Sequence, residues 1–189
     1  MRILLYLTLL ACCAHAVALD NNTLEKWPSP DGKYVIREKF YGEGKRVNAD
    51  FVNLATGKTA PVYWTGARNL SAIWSPDGGL VAINAETGPH FGEVRLFSIR
   101  DGRIKELLLP PNMQATNFLS DRAKANLGHT SFEGIRLDHW LNNTQAEFIS
   151  ETEAVLMHGA GIEQVSEHFI IEIKQGGTKI IKQFSAKKS

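Results

Sequence analysis

Trp74-Ser75-Pro76-Asp77-Gly78-Gly79-Leu80-Val81-Ala82-Ile83 is the stretch that decides the fold. Its first half, S-P-D-G, is a tight turn: proline fixes φ, aspartate bonds nearby backbone, and glycine accepts a positive φ. Its second half is an unbroken apolar run, the pattern of a short strand buried on both faces. The same order stands upstream in Trp27-Pro28-Ser29-Pro30-Asp31-Gly32-Lys33-Tyr34-Val35-Ile36, 46 residues from serine to serine. There the tryptophan lies one residue further from its aspartate. A degenerate third copy, Trp140-Leu141-Asn142-Asn143-Thr144-Gln145-Ala146-Glu147-Phe148-Ile149, lacks the proline and glycine and sets Asn143 in the place of aspartate.

A second element recurs in step with the first. Asp50-Phe51-Val52-Asn53-Leu54-Ala55-Thr56-Gly57-Lys58, Arg95-Leu96-Phe97-Ser98-Ile99-Arg100-Asp101-Gly102-Arg103 and His168-Phe169-Ile170-Ile171-Glu172-Ile173-Lys174-Gln175-Gly176 are each an apolar strand closing in a glycine turn. Each is followed by another strand-like run, at 59–63, 104–109 and 178–184. Three units with one order of turns and strands mark a repeat architecture, with repeats at about 27–64, 72–110 and 135–184.

W-S-P-D-G before an apolar strand, then a strand closing in D-G or T-G, resembles the TolB-type β-propeller repeat. The resemblance spans roughly 27–184. It implies an all-β domain of four-stranded antiparallel blades and leaves activity open, because the family includes periplasmic scaffolds and the propeller domains of some peptidases. Closed propellers need about 4–8 blades, and this chain has material for three. The expectation is therefore a partial or short β-propeller with a short helical insertion. Soluble proteins rarely leave a large apolar face uncovered, so the open blades call for a second copy, a partner or a capping segment. The segment available is 110–134. Within it, 120–128 reads as a short helix with Ser120 as N-cap and Gly128 as the stop.

The chain has 189 residues, 43% hydrophobic and 22% charged, with a formal net charge of +1. That suits one domain with a real core. The charge balance argues against a dedicated nucleic-acid binder or a polybasic membrane protein, which carry a marked basic excess. Residues 1–18, Met-Arg followed by an apolar run and small residues, read as a secretory signal peptide cleaved after Ala18 or Ala16. The alternative is a lipoprotein signal, since Leu9-Leu10-Ala11-Cys12 resembles a lipobox that would place a lipid on Cys12. The apolar run is about half the ~20 residues of a spanning helix, so no transmembrane segment is expected. Residues 19–189 then form a single domain without cysteine, which excludes disulfides, thiolate metal sites and cysteine nucleophiles.

Motifs for chemistry are sparse. There is no G-x-S-x-G and no H-E-x-x-H, and Thr56-Gly57-Lys58-Thr59 is a turn without the first glycine of a phosphate-binding loop. The histidines His90, His129, His139, His158 and His168 show no compact ligand spacing, and no cofactor or metal is expected. Asp138 and His139 are neighbours on a strand and should point to opposite faces. Glu151 and Glu153 share a strand face, and Asp31 and Asp77 are explained by their turns. Trp27, Trp74 and Trp140 belong to the core by their repeat positions. Trp64, His90 and Phe91 sit in connections and are the contact candidates, with packing beneath the loops as the alternative. Lys174, Lys179, Lys182, Lys187 and Lys188 either touch anionic envelope components or guard a terminal edge strand. Sequons begin at Asn21, Asn69 and Asn142 and matter only in a host that glycosylates.

The reading is an exported, periplasmic or extracellular, non-catalytic binding or assembly module whose partner is protein, either a second copy or an envelope protein. The alternatives are a hydrolase with its site at a blade-end cleft and a purely structural homodimer.

Overall fold

The computed structural model describes residues 23–41, 46–64, 67–88, 91–157, 161–174 and 177–185. The expected signal peptide with its cleavage candidates Ala16 and Ala18, the lipidation candidate Cys12, and the contact candidate His90 lie outside the described residues. Strands β1 (Thr23–Pro28), β2 (Tyr34–Tyr41), β3 (Arg46–Asn53) and β4 (Thr59–Val62) form a four-stranded antiparallel meander. A second meander follows in β5 (Asn69–Trp74), β6 (Leu80–Glu86), β7 (Phe91–Arg100) and β8 (Arg103–Leu107). The third is β9 (Leu127–Trp140), β10 (Gln145–Leu156), β11 (Ile162–Lys174) and β12 (Gly177–Ser185). The chain is all-β, and its described residues form three antiparallel four-stranded units and a short helical insertion. One seam departs from the antiparallel rule. β7 and β9 pair in parallel over Phe91↔Glu133 and Gly92↔Gly134, which fuses the second and third meanders into one eight-stranded sheet.

The two S-P-D-G turns have the same bonds. In the first, Tyr34 N–H donates to Ser29 Oγ (3.0 Å), Ser29 Oγ donates to Asp31 (2.7 Å), and Gly32 has φ 70°. In the second, Leu80 N–H donates to Ser75 Oγ (2.9 Å), Ser75 Oγ donates to Asp77 (2.7 Å), and Gly78 has φ 72°. In the third copy the expected assignment is off by one. Asn142, not Asn143, accepts the N–H two residues on, from Thr144 at 2.9 Å, as Asp31 does from Lys33 and Asp77 from Gly79. Without the proline and glycine this turn is tighter, so the side chain that can reach that N–H comes earlier.

The repeat tryptophan is an inter-unit clip. Trp74 Nε1 donates to the carbonyl of Trp27 (3.1 Å), and Trp140 Nε1 donates to the carbonyl of Ile73 (3.0 Å). Trp27 and Ile73 each stand two residues before a turn serine, so the acceptor is the same repeat position. Trp27 is thus equivalent to Ile73 and not to Trp74, which accounts for its displaced register. One core cluster lies between the first and second meanders, with Ile36, Phe51, Ile83 and Phe97. A second lies between the second and third, with Leu80, Leu96, Phe148 and Phe169. β2 and β6 are interior strands of their meanders, and their apolar runs are buried on both faces as expected.

Strands β9 to β11 have 12 to 14 residues, longer than the 5 to 10 of the second meander. Their inner face overhangs, and the insertion fills the overhang. Met113 joins the second cluster and Phe118 meets Phe169 at 5.9 Å, while Leu119 and Ala123 pack with Ala154 and Leu156. The insertion therefore covers part of an inter-unit face and not the outer end of the array. Ser120 caps helix α1 (Asp121–Ala125), accepting from Ala123 N–H at 3.0 Å. The expected stop at Gly128 is not where the helix ends: Asn126 closes it and Gly128 already belongs to β9. A Cβ on Gly128 would come within 3.1 Å of the Val155 carbonyl, so this glycine serves strand approach. β9 accordingly opens at Leu127, ahead of the start expected near 135.

Candidate functional site

Polar side chains gather at several places among the described residues, and two of these involve strand β9. The first is a cleft of about 690 Å³ at the junction of the second and third meanders. β5 and β6 contribute Ser71, Asn84 and Glu86, β9 contributes Phe132 and Arg136, and β10 contributes Glu151. Asn84 fixes its floor like an extra strand bridge: its amide donates to the Leu137 carbonyl (3.0 Å) and accepts from Leu137 N–H (2.8 Å). Asn69 donates to Glu86 at 2.7 Å and Arg136 to Asp138 at 2.8 Å, so two of the charged groups around the cleft are already engaged. The described residues lining it include no histidine.

The second place is the outward face of the third meander, which runs on from the cleft through Arg136 and Glu151. Strand alternation puts Glu147, Ile149, Glu151 and Glu153 of β10 on this face, as expected for the two glutamates, with His168 and Ile170 of β11 beside them. Asp138 and His139 do not point apart as expected. The register of β9 against β10 slips between His139↔Glu147 and Leu137↔Phe148, leaving Asp138 as the extra residue of a bulge. The bulge turns both side chains to one side, and Asp138 Oδ2 lies 2.9 Å from His139 Nδ1. Glu147 then stands between two histidines, 2.6 Å from His168 Nδ1 and 3.9 Å from His139 Nε2. His168 stacks on Phe184 of β12 at 5.0 Å, and Lys182 caps the same ring at 5.1 Å. The bond from His139, joined by that from Arg136, holds the Asp138 carboxyl below its ordinary value. No group of three or more His, Cys, Asp or Glu among the described residues can hold a metal ion.

Of the contact candidates, Trp64 proves to be buried, at 7% exposure, and packs in the first core cluster. Its main-chain N–H donates to Asn48 Oδ1 (3.0 Å), and the Arg95 guanidinium lies 4.9 Å over its ring. Trp64 is therefore part of the packing under its connection, because β7 supplies a cation that closes the indole off from water. Arg95 also pairs with Glu106 through Nε and Nη2 and donates from Nη1 to the Tyr63 carbonyl at 2.9 Å. Its hydrogen bond holds the Glu106 carboxyl below the usual range. Tyr63, the neighbour, is the exposed aromatic, at 65%. Phe91 opens β7 at the parallel seam. Gly88 and Gly92 line the cleft.

Sequence reasoning missed the His139–Glu147 pair, although the Asn142 turn fixes that register. It could not have reached His168, whose register depends on the β10–β11 connection, where no turn motif stands. Arg95 and Asn84 carry no local signal at all, since their partners lie 11 or more residues away.

No family model and no curated protein matches the chain. Among solved structures it is similar to TolB from Acinetobacter baumannii, at 13% identity and a TM-score of 0.39, over 84% of this chain and 40% of that one. It is also similar to the acylaminoacyl peptidase of Pyrococcus horikoshii, at 12% identity and a TM-score of 0.47, over 87% of this chain and 25% of that one. The chain thus spans less than half the length of either.

Proposed function

We propose that this chain is an exported, non-catalytic binding or assembly module built of TolB-like blades, which meets a protein partner on the outward face of its third meander. The observation that carries the reading is that neither His139 nor His168 lines the cleft, although Arg136 and Glu151 carry the cleft onto their sheet face. His139 is exposed and His168 half-buried on an open sheet face, and the cleft that could enclose a substrate has no histidine among its described lining residues. Acid–base catalysis needs both in one place. The outward face instead mixes Ile170 and Phe184 with charged neighbours, the composition of a non-obligate interface.

The runner-up, a hydrolase, is favoured by the cleft itself, which has the size of a small-molecule site. The purified chain is to be assayed on ester and peptide substrates while its mass is followed by light scattering over a range of concentration. The expected result is no turnover and a mass that rises toward the dimer with concentration, which Phe184→Lys disperses. A constant monomer mass points to a partner of different sequence. Turnover that Ser71→Ala or Glu151→Gln removes would overturn the reading in favour of the enzyme. Export rests on residues 1–18. Mass spectrometry of the exported protein should find a mature end at Val17 or Leu19, whereas a lipid on Cys12 would establish the anchored form.

A further inference from the structure

The cations of this nearly neutral chain are not evenly spread. A groove of about 260 Å³ between the second and third meanders is lined by Arg100, Arg103, Lys105 and Lys174, with Asp101 as its acidic member. Lys174 also lines an adjoining hollow with Lys179 and Thr178. Arg100 and Arg103 stand directly opposite each other across the Asp101-Gly102 turn, an arrangement of like charges that costs stability. β8 sorts its charges by face. Arg103, Lys105 and Leu107 turn to the groove, and Glu106 turns away to Arg95. Among the described residues Arg100, Arg103, Lys105 and Lys179 make no ion pair. Lys174 has only the solvent-screened Glu172, at 2.8 Å.

Leu108, immediately after β8, stands beside the groove. Its carbonyl accepts from Thr178 Oγ1 at 2.6 Å, which seats it between the groove and the adjoining hollow. At 85% it is more exposed than any other large hydrophobic side chain described. A site for a small soluble anion gains nothing from an apolar side chain held out in water. Unpaired cations around a protruding leucine match a surface that carries phosphates outside and hydrocarbon beneath.

We propose that this groove, with Leu108, is a docking site for the phosphate headgroups of an anionic bilayer. It stands apart from the binding face of the third meander and does not depend on it. The formal net charge of +1 gives no hint of the site because Glu106 and the acids of the other faces balance the sum.

The test is sedimentation of the full chain with vesicles of phosphatidylcholine alone and of phosphatidylcholine mixed with phosphatidylglycerol. The apolar residues 3–13 contribute binding that does not depend on headgroup charge, so the readout is the ratio of affinities for the two vesicles. Removing each cation should lower that ratio roughly fivefold, in Arg103→Gln, Lys105→Gln and the double variant. Asp101→Asn keeps the left-handed turn that asparagine tolerates and should raise the ratio by a similar factor. Leu108→Ser should weaken binding to the mixed vesicles without changing its salt dependence. Equal binding to both vesicles, or a ratio indifferent to these variants, overturns the proposal. So does displacement by millimolar inorganic phosphate, which would make this a soluble-anion site. The exposed substitutions leave the core intact, and an unchanged circular dichroism spectrum of Asp101→Asn keeps the gain-of-binding arm free of any folding defect.

Discussion

At Ser75 a single fully buried hydroxyl accepts the Leu80 N–H, bonds Asp77 and lies 3.1 Å from the Leu80 carbonyl. The turn motif is therefore a closed polar unit beneath the start of β6, with the serine as its centre and the aspartate as its outer brace. Ser75→Ala leaves the Leu80 N–H and Asp77 without that partner, and a loss of about 1–3 kcal/mol in urea denaturation is expected. Trp140→Phe should cost about 1–3 kcal/mol by the same assay, since it removes the bond to Ile73 and part of the ring packed against the second cluster. Arg95 and Glu106 give a pH signature. Glu106 is held below its ordinary 4.5 by its bond to Arg95, so the pair contributes fully above that pH and its contribution fades as pH falls through the lower, folded value. The stability gap between the native chain and Glu106→Gln should accordingly be constant near neutrality and close below about pH 4.5. The aspartates' turn role was legible from S-P-D-G alone, because a turn is a local problem. The burial of Trp64 was not, because the arginine that covers it comes from another strand.

Among the elements, the seam between β7 and β9 is the joint on which the second and third meanders turn. Gly92 and Gly134 meet there with no room between them: a Cβ on Gly134 would lie 2.9 Å from Phe132 Cζ and 3.1 Å from Gly92 N. Gly134→Ala should destabilise by about 1–3 kcal/mol. Gly88→Ala, at the cleft with nothing within 4 Å of the added atom, should be neutral or slightly stabilising in thermal unfolding. The existence of the strands could be read from apolar runs and glycine turns. The boundaries of β9 could not, because Gly128 and Gly134 look like breakers in sequence and act as close-approach points in a sheet. The bulge at Asp138 belongs to the same class. Strand alternation is a rule for regular pairing, and only the partner strand shows where pairing slips.

Taken whole, the molecule is a short array in which the second meander shares a core with each neighbour, and among the described residues no core cluster joins the first to the third. Stability in such an array is close to a sum of unit and interface contributions. Ile83→Ala, in the cluster between the first two meanders, should cost about 2–5 kcal/mol and speed amide exchange in both. Leu156→Ala, in the small cluster under the insertion, should speed exchange only in α1 and the end of β10, leaving β2 and β3 protected. Uniform acceleration in both variants would show a single cooperative unit in place of an array. The sequence by itself determined the all-β class, the repetition and the chemistry of the two S-P-D-G turns, because these depend on residues close together in the chain. Tertiary structure decided which charges share a groove, which histidines meet a carboxylate, and which tryptophan is covered. Those outcomes depend on register and on the angle between sheets, and residues far apart in the chain set both.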